Sequence, residues 1–471
     1  LDWLALIPPM VALALVILTR RVILSLALAI VTGSFILKGL SLAGFVAAIN
    51  YLAGAVSEKG NAYTLSFLIL FGALAELIKV SGGIAGFTNI VGRWVKSERG
   101  ILLVGWAMLP FTFFDNSFRI LSVGAMLEPL MEKVKGSKEK LAFVITITTG
   151  QAIVLIPLAT AYVGYMVSLV RANMPENAMF TPYDVFLRSL FWNIYSPVML
   201  VLSLAVTIWG LRYGKVRLEA VGGGAEELTK IHLEYEKYIN ELPSEYPARV
   251  GNLVLPVIIL LCGTVFFFWW TGKAGAGSFL GALGKADFSV AIMAGTFLAL
   301  IISVLLYWLQ GISLTEIESH VIKGGQAVLS LLVILVLSWT LSRIVQDLGF
   351  TRYVTSNFAG SMPTWAVPTT IFLSGAAISY VIGSSWATWA LLMPMAAGFA
   401  QVGGMNPAVL FGAVWAGGSV GDSTSPLSDI PILVSSVMKI PIAQYSSGAM
   451  PFALGGIFIS TLIYIVVSFP A

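Results

Sequence analysis

The sequence predicts an all-α, polytopic membrane protein built as two inverted repeats, each of about five transmembrane helices plus a re-entrant hairpin, with broken helices meeting at the membrane midplane. Three observations carry this reading: the composition, the spacing of apolar runs, and a recurrence of breaks in the second half. Of 471 residues, 58% are hydrophobic and 11% are charged, too little polar material to coat a water-facing globule of this size. Lipid is therefore the solvent. The 46 Gly and 20 Pro would weaken soluble helices, but membrane helices tolerate them where neighbours or a polar cavity satisfy the freed backbone groups.

Apolar runs long enough to cross a hydrocarbon core place spans near 3–19, 22–37 and 64–80, an interrupted stretch at 101–133, another at 141–170, and a span at 190–211. The order then recurs at 250–270, 287–309 and 326–347, an interrupted 364–400, an interrupted 407–438, and a last span at 447–469. Residues 212–249 carry Gly222-Gly223-Gly224, a charged amphipathic stretch from Glu226 to Asn240 and a Pro-bearing exit, the marks of an aqueous linker. The chain thus divides into a first repeat (1–211), a cytoplasmic linker (212–249) and a second repeat (250–471). Gly82 and Gly349, like Ser117 and Ser384, lie 267 residues apart (349 − 82 and 384 − 117). Pro129 with Pro394 and Pro157 with Pro426 fall close to the same offset, which points to an internal duplication.

If 101–133 and 364–400 are re-entrant hairpins, each half crosses an odd number of times and the halves are inverted. Loop charges then divide unevenly, with eighteen Lys and Arg on one side, eight on the other, and Arg119 left within the membrane. The positive-inside bias puts the basic side in the cytoplasm. The first hairpin enters from the cytoplasm and the second from outside, so their tips meet at mid-depth.

Several function classes are excluded. Cys262, the single cysteine, lies in an apolar run and is read as packing, so neither an internal disulfide nor a thiolate metal site can form. The net charge of +4 reflects loop topology and does not imply nucleic acid. No cleavable signal is evident, and a start at Leu1 leaves room for preceding residues. No His-Glu-x-x-His stretch, nucleophile elbow or phosphate loop is present, which argues against an enzyme. His232 and His320 fall in cytoplasmic segments, so neither carries protons at mid-membrane. Glu76 with Lys79, and Glu128 with Glu132, read as interfacial or pairing charges, and Arg343 with Asp347 as a pair on one helix face.

Three polar clusters interrupt apolar sequence: Asp115-Asn116-Ser117 with Arg119, Gly383-Ser384-Ser385, and the segment from Gly421 to Asp429. A carboxylate at the centre of a membrane helix costs roughly 2.5–3.5 kcal/mol on insertion scales, so it persists where it is paired, hydrated or bound to a cation. In the last cluster Gly421 and Pro426 favour an unwound span, whose freed carbonyls, with the Asp422 and Asp429 carboxylates and nearby hydroxyls, suit a hard cation such as sodium. The alternative is a loop between two short helices, capped by Asp422 or Ser428. Asp115 either exchanges a proton for a cation or forms a structural ion pair with Arg119, one helical turn later. The corresponding first-half break, from Thr148 to Pro157, has no carboxylate; Thr148, Thr149 and Gln151 line a cavity, or Pro157 merely kinks a packed helix. These features suit alternating access better than a continuous pore.

At Phe113 to Gly124, Ser137 to Ala142, Gly383 to Thr388, and Gly417 to Asp429, the sequence resembles the NhaC-type sodium/proton antiporter family of the ion transporter superfamily. The last stretch is the most telling, since the family's pattern there is Gly-Asp-His-Cys-Ser-Pro-Ile-Ser-Asp. Ser423 and Thr424 depart from it, as do Asn116, where a second Asp is usual, and Arg119, where an Asn is expected. The resemblance implies a secondary transporter of the cell membrane that exchanges Na+ for H+ across the lipid bilayer, without a cofactor, and a homodimer as in the wider superfamily. Ions and protons are then assigned to Asp115, Asn116, Ser117, Asp422, Ser425, Ser428 and Asp429, with Na+ held by Asp422, Ser425, Asp429 and Ser384. Arg119, Gly383, Ser384, Ser385, Thr388, Ser423, Thr424, Thr149 and Gln151 are the substrate-side candidates. Because Arg119 could grip a carboxylate bidentately, a sodium-coupled organic-anion or amino-acid carrier is the alternative on the same fold.

Overall fold

The computed structural model describes residues 2–83, 97–158, 160–174, 180–210, 249–274, 278, 282, 286–350, 352–353, 363, 365–401 and 405–468. Within them the chain is helical, with no strand. The first helices are Ile7–Thr19 (α1), Val22–Lys38 (α2), Leu42–Ser57 (α3) and Lys59–Val80 (α4). The third of these is absent from the sequence reading, and α4 begins five residues before the expected span. Leu42–Ser57 is short and broken by Gly44, Asn50 and Gly54, so no apolar run of spanning length marks it; it is held by packing against α2 and the later helix Leu329–Asp347.

The interrupted stretch 101–133 is a hairpin, as expected. Its first arm comprises Glu98–Ala107 (α5) and Leu109–Thr112 (α6). The chain turns at Phe113–Asp115, and the return arm runs through Asn116–Arg119 (α7), a π-helical turn at Ile120–Gly124 and Ala125–Lys133 (α8). Helices α5 and α8 pack on one another. At the hairpin base Lys138 binds Glu128 (2.6 Å) and Glu132 (3.0 Å), as the pairing reading anticipates. The next element is broken into Lys138–Ile153 (α9) and Ala161–Asn173 (α10), the second started by the Thr160 hydroxyl, which accepts from the Val163 N–H. The expected span 190–211 is Tyr195–Trp209 (α12), preceded by a further helix, Pro182–Leu190 (α11), that opens with a capping box between Thr181 and Asp184.

In the second half come Gly251–Gly272 (α13), Phe288–Leu309 (α14), Leu314–Ala327 (α15) and Leu329–Asp347 (α16). The second hairpin is Ala366–Ile382 (α17) and Ser385–Ala400 (α18); the second broken element is Pro407–Thr424 (α19) and Asp429–Met438 (α20); Ile442–Ser468 (α21) is last. The order of hairpin, broken helix and closing helix therefore recurs. Gly82 and Gly349, paired by the 267-residue offset, both turn the chain with left-handed backbone, at φ 74° and 79°. Residues 212–248 of the linker, with His232, lie outside the described residues.

Six segments are long and apolar enough to cross a membrane by length and composition, among them α4, α13, α14 and α21. Their outer faces carry large exposed apolar side chains, such as Trp209, Leu309 and Phe458, as lipid contact requires. Cys262 is on such a face of α13 beside Phe266 and is exposed, so it is not a packing residue. Arg343 and Asp347 also differ from expectation. Arg343 pairs with Glu58 (2.5 Å) and Asp347 accepts from the Tyr51 hydroxyl, because α16 lies against α3 and each charge finds a cross-helix partner. At the centre, α9, α19 and α20 pack together between the hairpins.

Candidate functional site

Both broken helices and both hairpin tips converge on one polar region. Helix α19 stops at Thr424, and Ser425 leaves helical geometry (φ −65°, ψ 127°). Pro426 has no N–H, so the Asp422 carbonyl loses its helical donor. The Ser423 carbonyl is taken instead by the Tyr445 hydroxyl (2.8 Å). The chain re-enters helix at Asp429 with Ser428 at the cap position, yet the Ser428 hydroxyl makes no cap hydrogen bond. It lies 3.3 Å from Asp422 Oδ1 and 3.4 Å from Asp429 Oδ1. One hydroxyl thus stands between two carboxylates, which a merely structural cap would not require.

The carboxylates differ in access. Asp422 is 3% exposed and faces Ser385, the first residue of α18. Asp429 is exposed into a cavity of about 640 Å³ that is also lined by Asp115, Ser117, Leu427, Glu76 and Lys79. Glu76 and Lys79, read from sequence as interfacial or pairing charges, do pair (2.9 Å), but within the cavity wall, and His320 (3.7 Å) and Lys323 (4.0 Å) approach the same carboxylate. The signal that could have found them is their position in the last turn of an otherwise apolar span.

The first hairpin tip is ordered by Asp115, which caps α7 by accepting the Phe118 N–H at 2.6 Å. Asn116 donates to the Tyr162 hydroxyl (2.6 Å), and the Tyr162 ring stacks on Trp386 of the second hairpin (4.3 Å between centroids, 7° between planes). The Tyr165 hydroxyl donates to the Trp386 carbonyl (2.6 Å). Tyr162 therefore bridges the two tips. Sequence analysis missed both Tyr162 and Trp386, since an aromatic in an apolar run has no pattern of its own.

At the second tip Gly383 is left-handed (φ 74°), and a Cβ there would overlap the Leu427 carbonyl group. Only glycine lets the tip close on the α19–α20 break. Ser384 caps α18 by accepting the Ala387 N–H (3.3 Å), and Thr388 donates to the Ser384 carbonyl (2.8 Å). Ser425 donates to the Tyr380 carbonyl (2.7 Å), so its hydroxyl and that of Ser384 are engaged with backbone. Thr424 reaches the Val420 carbonyl at 3.3 Å.

Gln151 joins the broken helices. Its amide nitrogen donates to the Ser419 carbonyl and the Ser423 hydroxyl (both 2.8 Å), and its oxygen accepts from Ser196 (2.7 Å). Thr149 is buried with no hydrogen-bond partner for its hydroxyl. Thr148 is set apart with Arg119, which is turned away from Asp115. Its guanidinium, 0% exposed, binds Thr112, Gly105 and Thr148. Arg119 does not line the cavity.

A helical bundle with lipid-facing flanks and a polar, carboxylate-lined interior defines a multi-pass membrane protein. The chain belongs to the Na+/H+ antiporter family, whose model matches residues 152–469. An uncharacterized protein of Haemophilus influenzae is 29% identical over 99% of this chain and 91% of its own length. Two solved structures are similar in fold. The YdaH transporter of Alcanivorax borkumensis has a TM-score of 0.59 at 13% identity, over 95% of this chain and 97% of its own. MtrF of Neisseria gonorrhoeae, described within a class of antimetabolite efflux pumps, has a TM-score of 0.61 at 14% identity, over 91% and 85%.

Proposed function

We propose that this protein is a secondary transporter of the cell membrane that exchanges sodium ions for protons, of the NhaC type, by alternating access between two inverted repeats. The observation that carries the reading is the Asp422–Ser428–Asp429 arrangement at a helix break, with Asp429 open to a cavity that Asp115 shares. Two carboxylates about one hydroxyl cannot both stay charged and dry; a sodium ion or a proton relieves them, and the two compete for the same oxygens. In this reading sodium reaches Asp429 through the cavity and is held between Asp429 and Asp422 with freed backbone carbonyls. Asp115 and Ser117 guide it from the first tip, and Ser384 and Ser385 close the second. The Tyr162–Trp386 stack and the Tyr165 bond hold the two tips together, and in this reading they close the path on the side away from the cavity, as one-sided access needs. An organic acid as co-substrate called for Arg119 in the chamber. With the guanidinium held elsewhere, exchange of ions alone is the better reading.

The test is sodium-driven proton movement in proteoliposomes under an imposed pH gradient. The wild type moves protons when sodium is added, whereas D422N, which removes a charge-assisted cation contact, lowers the rate roughly 10- to 100-fold. Wild-type vesicles that pass no protons in response to sodium, or a D422N variant with full activity, would end the proposal.

A further inference from the structure

Arg119 is fully buried, and its partners are all neutral oxygens. Nη1 donates to Thr112 Oγ1, and Nη2 to the Gly105 carbonyl and Thr148 Oγ1, each at 2.7 Å. Nε has no partner, and among the described residues no carboxylate is within ion-pair distance of the guanidinium. A buried charge without a counter-ion is costly, so the oxygens around it need a reason.

Their orientation supplies one. The Thr112 hydroxyl spends its proton on the Met108 carbonyl (2.8 Å) and that of Thr148 on the Val144 carbonyl (2.7 Å), so both turn lone pairs toward Arg119. Gly105 lies in the last turn of α5, where carbonyls lack helical donors and the helix end carries partial negative charge. Three oxygen acceptors from α5, α6 and α9 thus converge on the guanidinium, one on Nη1 and two on Nη2. Neutral carbonyl and hydroxyl oxygens gathered at a helix C-terminus are the ligand set of a hard monovalent cation.

We propose that this is a cation site permanently filled by a tethered charge: the Arg119 guanidinium occupies an oxygen cradle that, without it, binds a free sodium ion. The first hairpin is thereby locked to α9 by a cation that neither loads nor leaves, and the transport cycle carries one exchangeable cation fewer than the number of oxygen cradles. The inference concerns α5, α6 and α9 and does not depend on Asp422 holding sodium.

The experiment measures melting of the full-length purified protein in sodium chloride against choline chloride, in a D422N/D429N background that silences those carboxylates. Adding R119A to this background is expected to lower the melting temperature in choline and to create a saturable sodium response. The expected rise is about 3 °C at a hundredfold excess over the dissociation constant. The background with Arg119 intact shows no such response. If R119A does not yield folded protein, R119K and R119Q are compared in its place. Lys keeps a cation in the cradle and stays insensitive to sodium, whereas Gln gains the response. A loss of stability that is equal in both salts, or an equal response in the Lys and Gln variants, overturns the proposal and leaves Arg119 a structural residue.

Discussion

The two hairpin tips, 269 residues apart (384 − 115), share a backbone and differ in chemistry. Asp115 sits at φ −146°, ψ 135° and Ser384 at φ −145°, ψ 118°, and each caps the following helix by accepting the N–H three residues on. Both return arms contain a proline within helix, Pro129 and Pro394. One cap is an acid facing a cavity; the other is a neutral hydroxyl pressed against Leu427 through a glycine. An N-cap needs only an acceptor oxygen, so the position is free to be charged or neutral without disturbing the turn. The same turn geometry can therefore hold one ionisable tip and one neutral tip, and the acid stands at the one that lines the cavity.

The largest effect that would break this comparison is at Gly383. G383A adds a Cβ to a left-handed residue and forces it into the Leu427 carbonyl group; left-handed strain and overpacking together cost about 2–4 kcal/mol. A melting curve should show the loss, and an unaltered curve would mean that the second tip is not seated on the break. Next is the acid itself. D115S keeps an acceptor at the cap and should melt close to wild type while sodium-driven proton movement falls roughly tenfold. D115A should lose about 1 kcal/mol of stability besides. Equal transport in D115S and wild type would reduce Asp115 to a cap like Ser384. The smallest effect is expected from Y162F, which removes the hydroxyl accepting from Asn116. About 1 kcal/mol, or some fivefold in transport rate, is at stake, and no change would show that the tips act separately.

Much of the fold was legible because lipid imposes length: the runs at 22–37, 250–270 and 287–309 became α2, α13 and α14 nearly residue for residue. The breaks were legible too, since Pro157, Gly383 and Pro426 stand beside polar clusters that interrupt the apolar runs. What escaped was whatever depends on a partner. Leu42–Ser57 is a helix because α2 and α16 hold it, and Arg343 pairs with Glu58, at the junction of α3 and α4, while Asp347 accepts from Tyr51 of α3. The polar clusters identified the site's carboxylates, but the chain order of Asp115 and Arg119 suggested a pair that the turn at Asp115 and the π-helical segment after Arg119 direct to opposite surroundings. Tyr162 and Trp386 meet across 224 residues (386 − 162), a contact that no local pattern encodes.

Gln151 has a mechanical consequence. With its amide fastened to two groups of α19 and its oxygen to Ser196 of α12, the two broken helices are riveted to each other within a turn of Asp422. In the alternating-access cycle proposed above, a motion that brings Asp422 to the opposite surface would take α9 and α12 with it, so the travelling part would be a block containing both breaks, and the sliding surface would lie outside them.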